Sequence, residues 1–155
     1  MGLNTYTEKT RATIKIQDGC NNFCTYCLIP FARGRIRSRS KENVIKEVEQ
    51  IAKKGIKEVV LTGIHIASYG KENKENNYFL IDLLEDLNKI QGIERIRLGS
   101  LEPTIITEEF AKRLSKLEKI CNQFHLSLQS GCNETLKRMN RKYTTKQFEE
   151  VAKIL

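Results

Sequence analysis

Ala12-Thr13-Ile14-Lys15-Ile16-Gln17-Asp18-Gly19-Cys20-Asn21-Asn22-Phe23-Cys24-Thr25-Tyr26-Cys27 joins an apolar alternation to three cysteines, and its reading decides the fold. Ala12, Ile14 and Ile16 recur at the period of a strand with one buried face, so the cysteines sit on a loop leaving the C-terminal end of a first strand. Three thiolates on one tight loop can close around an inorganic centre, but iron-sulfur clusters and structural zinc take four ligands. One position stays open, which is what a catalytic centre uses to bind substrate or cofactor. A zinc site would need a fourth ligand from His65, His125, Cys121 or Cys132, all distant in sequence. A dithiol of Cys24 and Cys27 would leave Cys20 without a role.

Outward from that loop the chain alternates strand and helix. Ser40 predicts an N-cap for a helix with Val44, Ile45, Val48, Ile51 and Ala52 on one face, ended by Gly55. A strand at 58–61 runs into Thr62 and Gly63. Leu80, Leu83, Leu84, Leu87 and Ile90 predict a second helix, stopped by Gly92 before a strand at 95–98. Thr107 caps a third helix, residues 124–129 read as a fourth strand, and Thr144 with Gln147 has capping-box spacing for a last helix. Such alternation implies an α/β fold with parallel strands, whose ligand site lies at the strands' C-terminal ends. The cysteine loop, residues 62–65, residues 100–103 and residues 129–132 all fall at such ends and are expected to line one pocket.

The chain has 155 residues, enough for one domain with its own core, and 39% apolar with 30% charged residues reads as globular. The net charge of +8 favours a polyanionic partner. Five cysteines, an odd number, and no apolar N-terminal stretch predict a cytoplasmic protein with thiols reduced or metal-bound; no run approaches a membrane span. Arg33, Arg35, Arg37 and Arg39 alternate along one segment. If extended, it puts four guanidinium groups on one side, suited to RNA phosphates or a carboxylate. Arg138, Arg141 and Lys142 read as a charged surface-helix cluster.

With Tyr26 before the last cysteine, the spacing of Cys20, Cys24 and Cys27 resembles the CxxxCxxC signature of radical S-adenosylmethionine (SAM) enzymes. The blocks IQDGCNNFCTYCLIPFARGRIRSR, LTGIHIASYG, LGSLEP and HLSLQSGCNETLKRMNRKYT are similar, in order and spacing, to those of the methylthiotransferases. Thr62 to His65 and the residues before Cys20 most resemble the branch acting on tRNA threonylcarbamoyladenosine. The alternatives are enzymes acting on isopentenyladenosine tRNA or on a protein residue, and, from another class, a noncatalytic zinc- and RNA-binding module.

The resemblance implies a partial β/α barrel of radical SAM type, residues 1–155 forming its first four strand-helix units. An N-terminal methylthiotransferase domain and a C-terminal RNA-binding β-domain would lie outside this sequence, and the piece alone is expected to be inactive. Cys20, Cys24 and Cys27 would hold a 4Fe-4S cluster whose fourth iron binds SAM; an electron from it cleaves SAM to methionine and a 5′-deoxyadenosyl radical. A second 4Fe-4S cluster is expected only in the full-length parent. The cofactor side would include Tyr26, Thr62 and Gly63 near the SAM amino group, Ser100 and Glu102, and Gln129 and Ser130 near the ribose. His65 is read as hydrogen-bonding support or as catalytic, and His125 as structural. The partners implied are tRNA and a reductant such as flavodoxin or ferredoxin.

Overall fold

The computed structural model describes residues 10–72 and 77–155; residues 1–9 of the expected domain span lie outside them. Its centre is a four-stranded sheet. Strand β1 (Arg11–Asp18) leads into a single helical turn, α1 (Ile29–Ala32), and a two-residue strand, β2 (Arg37–Ser38). Helix α2 (Lys41–Lys53), strand β3 (Glu58–Gly63), helix α3 (Leu80–Asn88), strand β4 (Arg95–Leu98) and helix α4 (Glu108–Leu114) follow. Two short helices, α5 (Asn133–Arg138) and α6 (Thr145–Ile154), complete the chain.

The spatial order is β2-β1-β3-β4. Strands β1, β3 and β4 are parallel, Arg11 lying opposite Glu58 and Glu58 opposite Arg95, while β2 adds a short antiparallel edge. The alternation in β1 does what it predicts up to Ile16: Ala12, Ile14 and Ile16 are buried, with Arg11, Thr13 and Lys15 exposed between them, and it breaks at Gln17, which is also buried. With Val59, Leu61, Ile96 and Leu98 they face the apolar stripes of α2 (Val44, Val48, Ile51) and α3 (Leu80, Leu83, Leu84, Leu87) in one core. The other sheet face carries Thr13, Lys15, Thr62 and Arg97 and stays less covered, as the inner face of an open half-barrel does. Among the described residues no helix is long and apolar enough to cross a membrane.

Caps follow the sequence in part. Thr107 Oγ1 accepts from Phe110 N–H at 3.1 Å, and Thr144 and Gln147 form the expected capping box. Ser40 precedes α2 with no side-chain capping bond.

Three expectations are corrected. The strand expected at 124–129 is reduced to one parallel bridge, Leu101 to Leu126, held by Leu101 N–H to His125 O (2.9 Å) and Ser127 N–H to Leu101 O (3.1 Å). The next rung would need an N–H on Pro103, which proline lacks, and Ser127 O accepts from Tyr143 Oη at 2.6 Å instead. In the other direction the bridge from Ile96 to Ile120 has one residue fewer on its own strand, so the ladder is out of step between the two.

The arginine segment is not one extended run. Arg33 caps α1 with helical dihedrals, Gly34 has φ +75°, and only Arg37 and Ser38 pair as strand. The basic cluster at 138–142 is not a surface helix either. Helix α5 ends at Arg138, and Arg141 turns inward with a side chain only 11% exposed.

Candidate cysteine-centred active site

The loop after β1 is shaped by close backbone approach. Gly19 has φ +70°, and a Cβ there would fall 2.0 Å from Arg35 O, so only glycine fits. Cys20 N–H then donates to Gly34 O at 3.1 Å and Cys27 N–H to Cys24 O at 2.9 Å, closing the loop into a compact coil. Phe23, between the first two cysteines, has φ +49°, a left-handed conformation costing a non-glycine residue about 1–2 kcal/mol. Its ring packs edge-on against Phe31 with centroids 5.8 Å apart.

The three cysteines are free thiols, Cys24 buried and Cys20 and Cys27 partly so. Burial pushes the Cys20 and Cys24 thiols up; the Asn22 N–H opposes this at Cys20 (3.4 Å to Sγ) and the Arg141 charge at Cys24, while the neighbouring thiols add to the rise. A thiol binds metal only as the thiolate, so loading a metal centre here would release protons from these cysteines. Among the described residues, no three His, Cys, Asp or Glu side chains gather tightly enough to share one metal ion. A cluster would take one cysteine on each of three irons, whereas zinc takes all its ligands on one ion.

Beside the cysteines lies a polar network centred on Glu102, 7% exposed. Asn22 Nδ2 donates to both its oxygens (3.1 and 3.2 Å), His65 Nε2 lies 2.8 Å from Oε2, Thr104 Oγ1 donates at 3.2 Å and Arg141 Nη1 at 3.4 Å. Burial alone would raise the Glu102 pKa, but the His65 hydrogen bond and charge, with Asn22 and Thr104, hold it down at about 2. His65 Nδ1 faces the Ser68 hydroxyl, which fixes the ring from its other side. Its backbone N–H donates to Gln17 Oε1 at 2.7 Å, while Gln17 Nε2 donates to the carbonyls of Asp18 and Gly19, both at 2.7 Å. Gln17 thus ties the entry of the cysteine loop to the loop after β3. A register shift between Lys15 and Gln17 turns it inward.

The candidate residues divide accordingly. Cys20, Cys24, Cys27 and Glu102 come together, and Tyr26 joins them because Arg141 donates to its hydroxyl. Gly63 lies at the contact between the two loops, where a Cβ would meet Gln17 O at 2.9 Å. Thr62 Oγ1 donates to Ile14 O (3.3 Å), and Ser100 Oγ pairs with His125 Nδ1 (2.7 Å). Gln129 is exposed at φ +66°, and Ser130 Oγ accepts from Cys132 N–H (3.1 Å); neither enters the Glu102 network. Of the arginines, Arg33 and Arg37 pair with Asp18 (2.8 and 3.7 Å) and Arg39 with Glu47 (2.6 Å). Gln17, Asn22 and Asn140 were not among the sequence candidates, and Arg141 was misplaced. The two side-chain amides between the first two cysteines, Asn21 and Asn22, were the available signal for Asn22; the others carry none.

The family model described as the radical SAM superfamily matches residues 14–155. The chain belongs to the radical SAM superfamily. Solved radical SAM structures share the fold: a radical S-adenosylmethionine methyltransferase, TsrM, from Kitasatospora setae, with cobalamin and a 4Fe-4S cluster bound, superposes with TM-score 0.72 at 20% identity, covering 92% of this chain and 28% of that one. OxsB, a cobalamin-dependent S-adenosylmethionine radical enzyme, gives 0.71 at 22% identity, covering 92% and 21%.

Sequence relatives are nearer. The threonylcarbamoyladenosine tRNA methylthiotransferase of Bacillus subtilis (strain 168) is 49% identical over 146 residues, 94% of this chain and 32% of that protein. The Aquifex aeolicus (strain VF5) protein of the same name is 46% identical over 97% of this chain and 36% of its own. A tRNA-2-methylthio-N(6)-dimethylallyladenosine synthase of Thermoanaerobacter sp. (strain X514) is 46% identical over 91% and 30%. The chain spans about a third of the length of these relatives.

Proposed function

We propose that this chain is part of the radical domain of a tRNA methylthiotransferase, a transferase of tRNA modification and processing that adds a methylthio group to C2 of N6-threonylcarbamoyladenosine beside the anticodon. The observation that carries this reading is the 49% identity to the Bacillus subtilis enzyme across nearly the whole chain, with the three free cysteines beside the Glu102 network. Residues 1–155 would supply the first strand-helix units of the radical domain. The greater length of the relatives leaves room for a methylthiotransferase domain, with a second cluster, and for an RNA-binding domain.

In this reading Cys20, Cys24 and Cys27 hold a 4Fe-4S cluster, and the residues after β3 and β4 hold SAM. When bound, the two supply an electron and a carbon-centred radical. The protein's own part is positional: Gln17 and Gly63 set the two loops against each other, and Glu102, ionised at neutral pH, offers a fixed negative charge. Tyr26, Thr62, Gly63, Ser100, Gln129 and Ser130 remain the proposed cofactor side. The tRNA lies along the basic segment at 33–39, a flavodoxin or ferredoxin supplies electrons, and the site of action is the cytoplasm.

The test is anaerobic reconstitution followed by metal counting. About four irons per chain are expected in a brown protein, lost in each of Cys20→Ala, Cys24→Ala and Cys27→Ala and kept in Cys121→Ala and Cys132→Ala. A colourless zinc-loaded chain, or full iron in Cys24→Ala, overturns it. The 46% identity to the dimethylallyladenosine synthase favours a second reading, with the same chemistry on the isopentenyl base. Mass spectrometry of tRNA nucleosides, after reaction with the full-length parent, SAM and reductant, separates the two.

A further inference from the structure

Helix α5 ends in a way that sends its next residues into the site. Asn140 has φ +59°, Asn140 N–H donates to Lys137 O (3.0 Å), and Arg141 N–H reaches back to Leu136 O (2.9 Å). This is the doubled bond pattern of a Schellman C-terminus, with asparagine, a side chain that tolerates the left-handed region, in the position usually held by glycine. The turn meets the cysteine loop at several points, across more than 110 residues of sequence. Thr25 N–H donates to Met139 O (3.3 Å) and Thr25 Oγ1 to Arg138 O (3.0 Å). Asn140 Nδ2 donates to both Asn22 O (3.2 Å) and Phe23 O (3.0 Å).

Arg141 then carries the contact to the far side of the loop. Its guanidinium donates to Glu102 and to the Tyr26 hydroxyl, and its carbon centre stands 5.7 Å from the Tyr26 ring centroid. Its Nε is buried with no hydrogen-bond partner. Burying a guanidinium costs several kcal/mol unless it is paired, and its bonds to Glu102 and to the Tyr26 hydroxyl offset part of that cost while fixing the positions of both partners.

We propose that the turn at residues 138–141 is a clamp for the cysteine loop, Asn140 holding the loop backbone between Cys20 and Cys24 and Arg141 holding the Tyr26 ring against the site. Asn140 offsets the strain of the left-handed Phe23 by satisfying the carbonyls on either side of it. Arg141 links that loop to Glu102, so the loops after β1 and β4 move as one unit. The loop clamp itself does not depend on which group the cysteines bind. Its spectroscopic consequence rests on the cluster reading above.

The test compares amide hydrogen exchange in the metal-free chain with that of Asn140→Gly, which keeps the left-handed turn and removes only the side-chain amide. Exchange of the amides at 22–25 should quicken at least tenfold, with β1 and β3 amides unchanged. Equal protection at 22–25 overturns the clamp. If Asn140→Gly loses protection throughout, Arg141→Lys and Arg141→Gln decide. Lysine keeps the charge but not the fork, so both should loosen the half-exposed Tyr26, read as movement of its ring-proton shifts towards random-coil values by nuclear magnetic resonance. Unchanged Tyr26 ring-proton shifts in both overturn the role of Arg141. In the reconstituted chain, Arg141→Gln alone should shift the cluster's midpoint potential to more negative values, because a positive charge is lost, and Arg141→Lys should restore it. A failure to bind iron at all would contradict the cluster reading and leave the exchange result to judge the clamp.

Discussion

His65 Nε2 lies 2.8 Å from Glu102 Oε2, joining the loop after β3 to the loop after β4 through a nearly buried pair. Asn22 donates to the same carboxylate, so three strand ends meet at one side chain 80 residues along from the first of them. A carboxylate surrounded this way is costly to neutralise, and the network behaves as a keystone of the site rather than as an ornament of one loop.

That pair gives a pH dependence. The Glu102 pKa is depressed from 4.5 to about 2, so its contribution is fully present above the unfolded value and lost as pH falls from about 4.5 towards 2. The shift corresponds to about 3 kcal/mol. Denaturant unfolding at pH 7 and at pH 2.5 should show that the native chain loses stability over this range by roughly this amount more than Glu102→Gln does. Parallel losses in both would show that the carboxylate makes no such contribution.

Gln17 gives a second expectation. Its amide is 1% exposed and satisfies Asp18 O, Gly19 O and His65 N–H. Gln17→Leu keeps the volume but strands three backbone groups, for an expected loss of about 3 kcal/mol. Thermal unfolding measures it. A change within 0.5 kcal/mol, the range of ordinary surface substitutions, would mean that water replaces the amide without cost.

Much of this was legible in the sequence and some was not, for definable reasons. The period of Ala12, Ile14 and Ile16, the stripe from Leu80 to Leu87 and the caps at Thr107 and Thr144 are local signals, and each formed as read. The fourth strand failed because Pro103, on a different segment, removes the donor its ladder needs. Arg141 was read as surface because basic residues near a helix end usually are; what redirects it is one left-handed residue, Asn140, whose backbone angle no periodicity reveals. Cysteine spacing located the centre of the site. Apart from the asparagine pair between Cys20 and Cys24, the residues that support it left no pattern: Gln17, Asn22 and Asn140 make their long-range contacts to His65 N–H, to the Glu102 carboxylate and to the carbonyls of Asn22 and Phe23.

The glycines separate close approach from simple conformational freedom. Gly19→Ala must both hold φ +70° and clear Arg35 O, which its Cβ would approach to 2.0 Å; a loss of about 3 kcal/mol or more is expected, with impaired iron loading. Gly55→Ala also sits at a positive φ, +82°, but meets nothing within 4 Å and should cost about 1 kcal/mol with normal loading. Equal effects on unfolding midpoints would show that strain alone, not the packing of the cysteine loop on residues 34–35, sets the cost.

The arginine segment yields the last expectation, because the structure makes its four members unequal. Asp18 is paired with Arg33, Arg37 and Lys15, and hydrogen bonding from Arg33 chiefly holds its carboxyl well below the usual range against the opposing effect of burial. Arg39 is spent on Glu47. Among the described residues Arg35 alone of the four has no carboxylate partner, and it is exposed. Binding of unfractionated tRNA should weaken steeply with salt, and Arg35→Ala should flatten the slope by about one unit of log K against log salt. Arg33→Ala should change it less, since removing a guanidinium already neutralised by Asp18 gives up little phosphate attraction. Asp18→Asn makes the opposite prediction: it frees Arg33 and Arg37 and should steepen the slope by up to about two units. If Arg35→Ala and Asp18→Asn both leave the slope unchanged, the nucleic-acid backbone does not run along residues 33–39, and the +8 charge attracts RNA from another face.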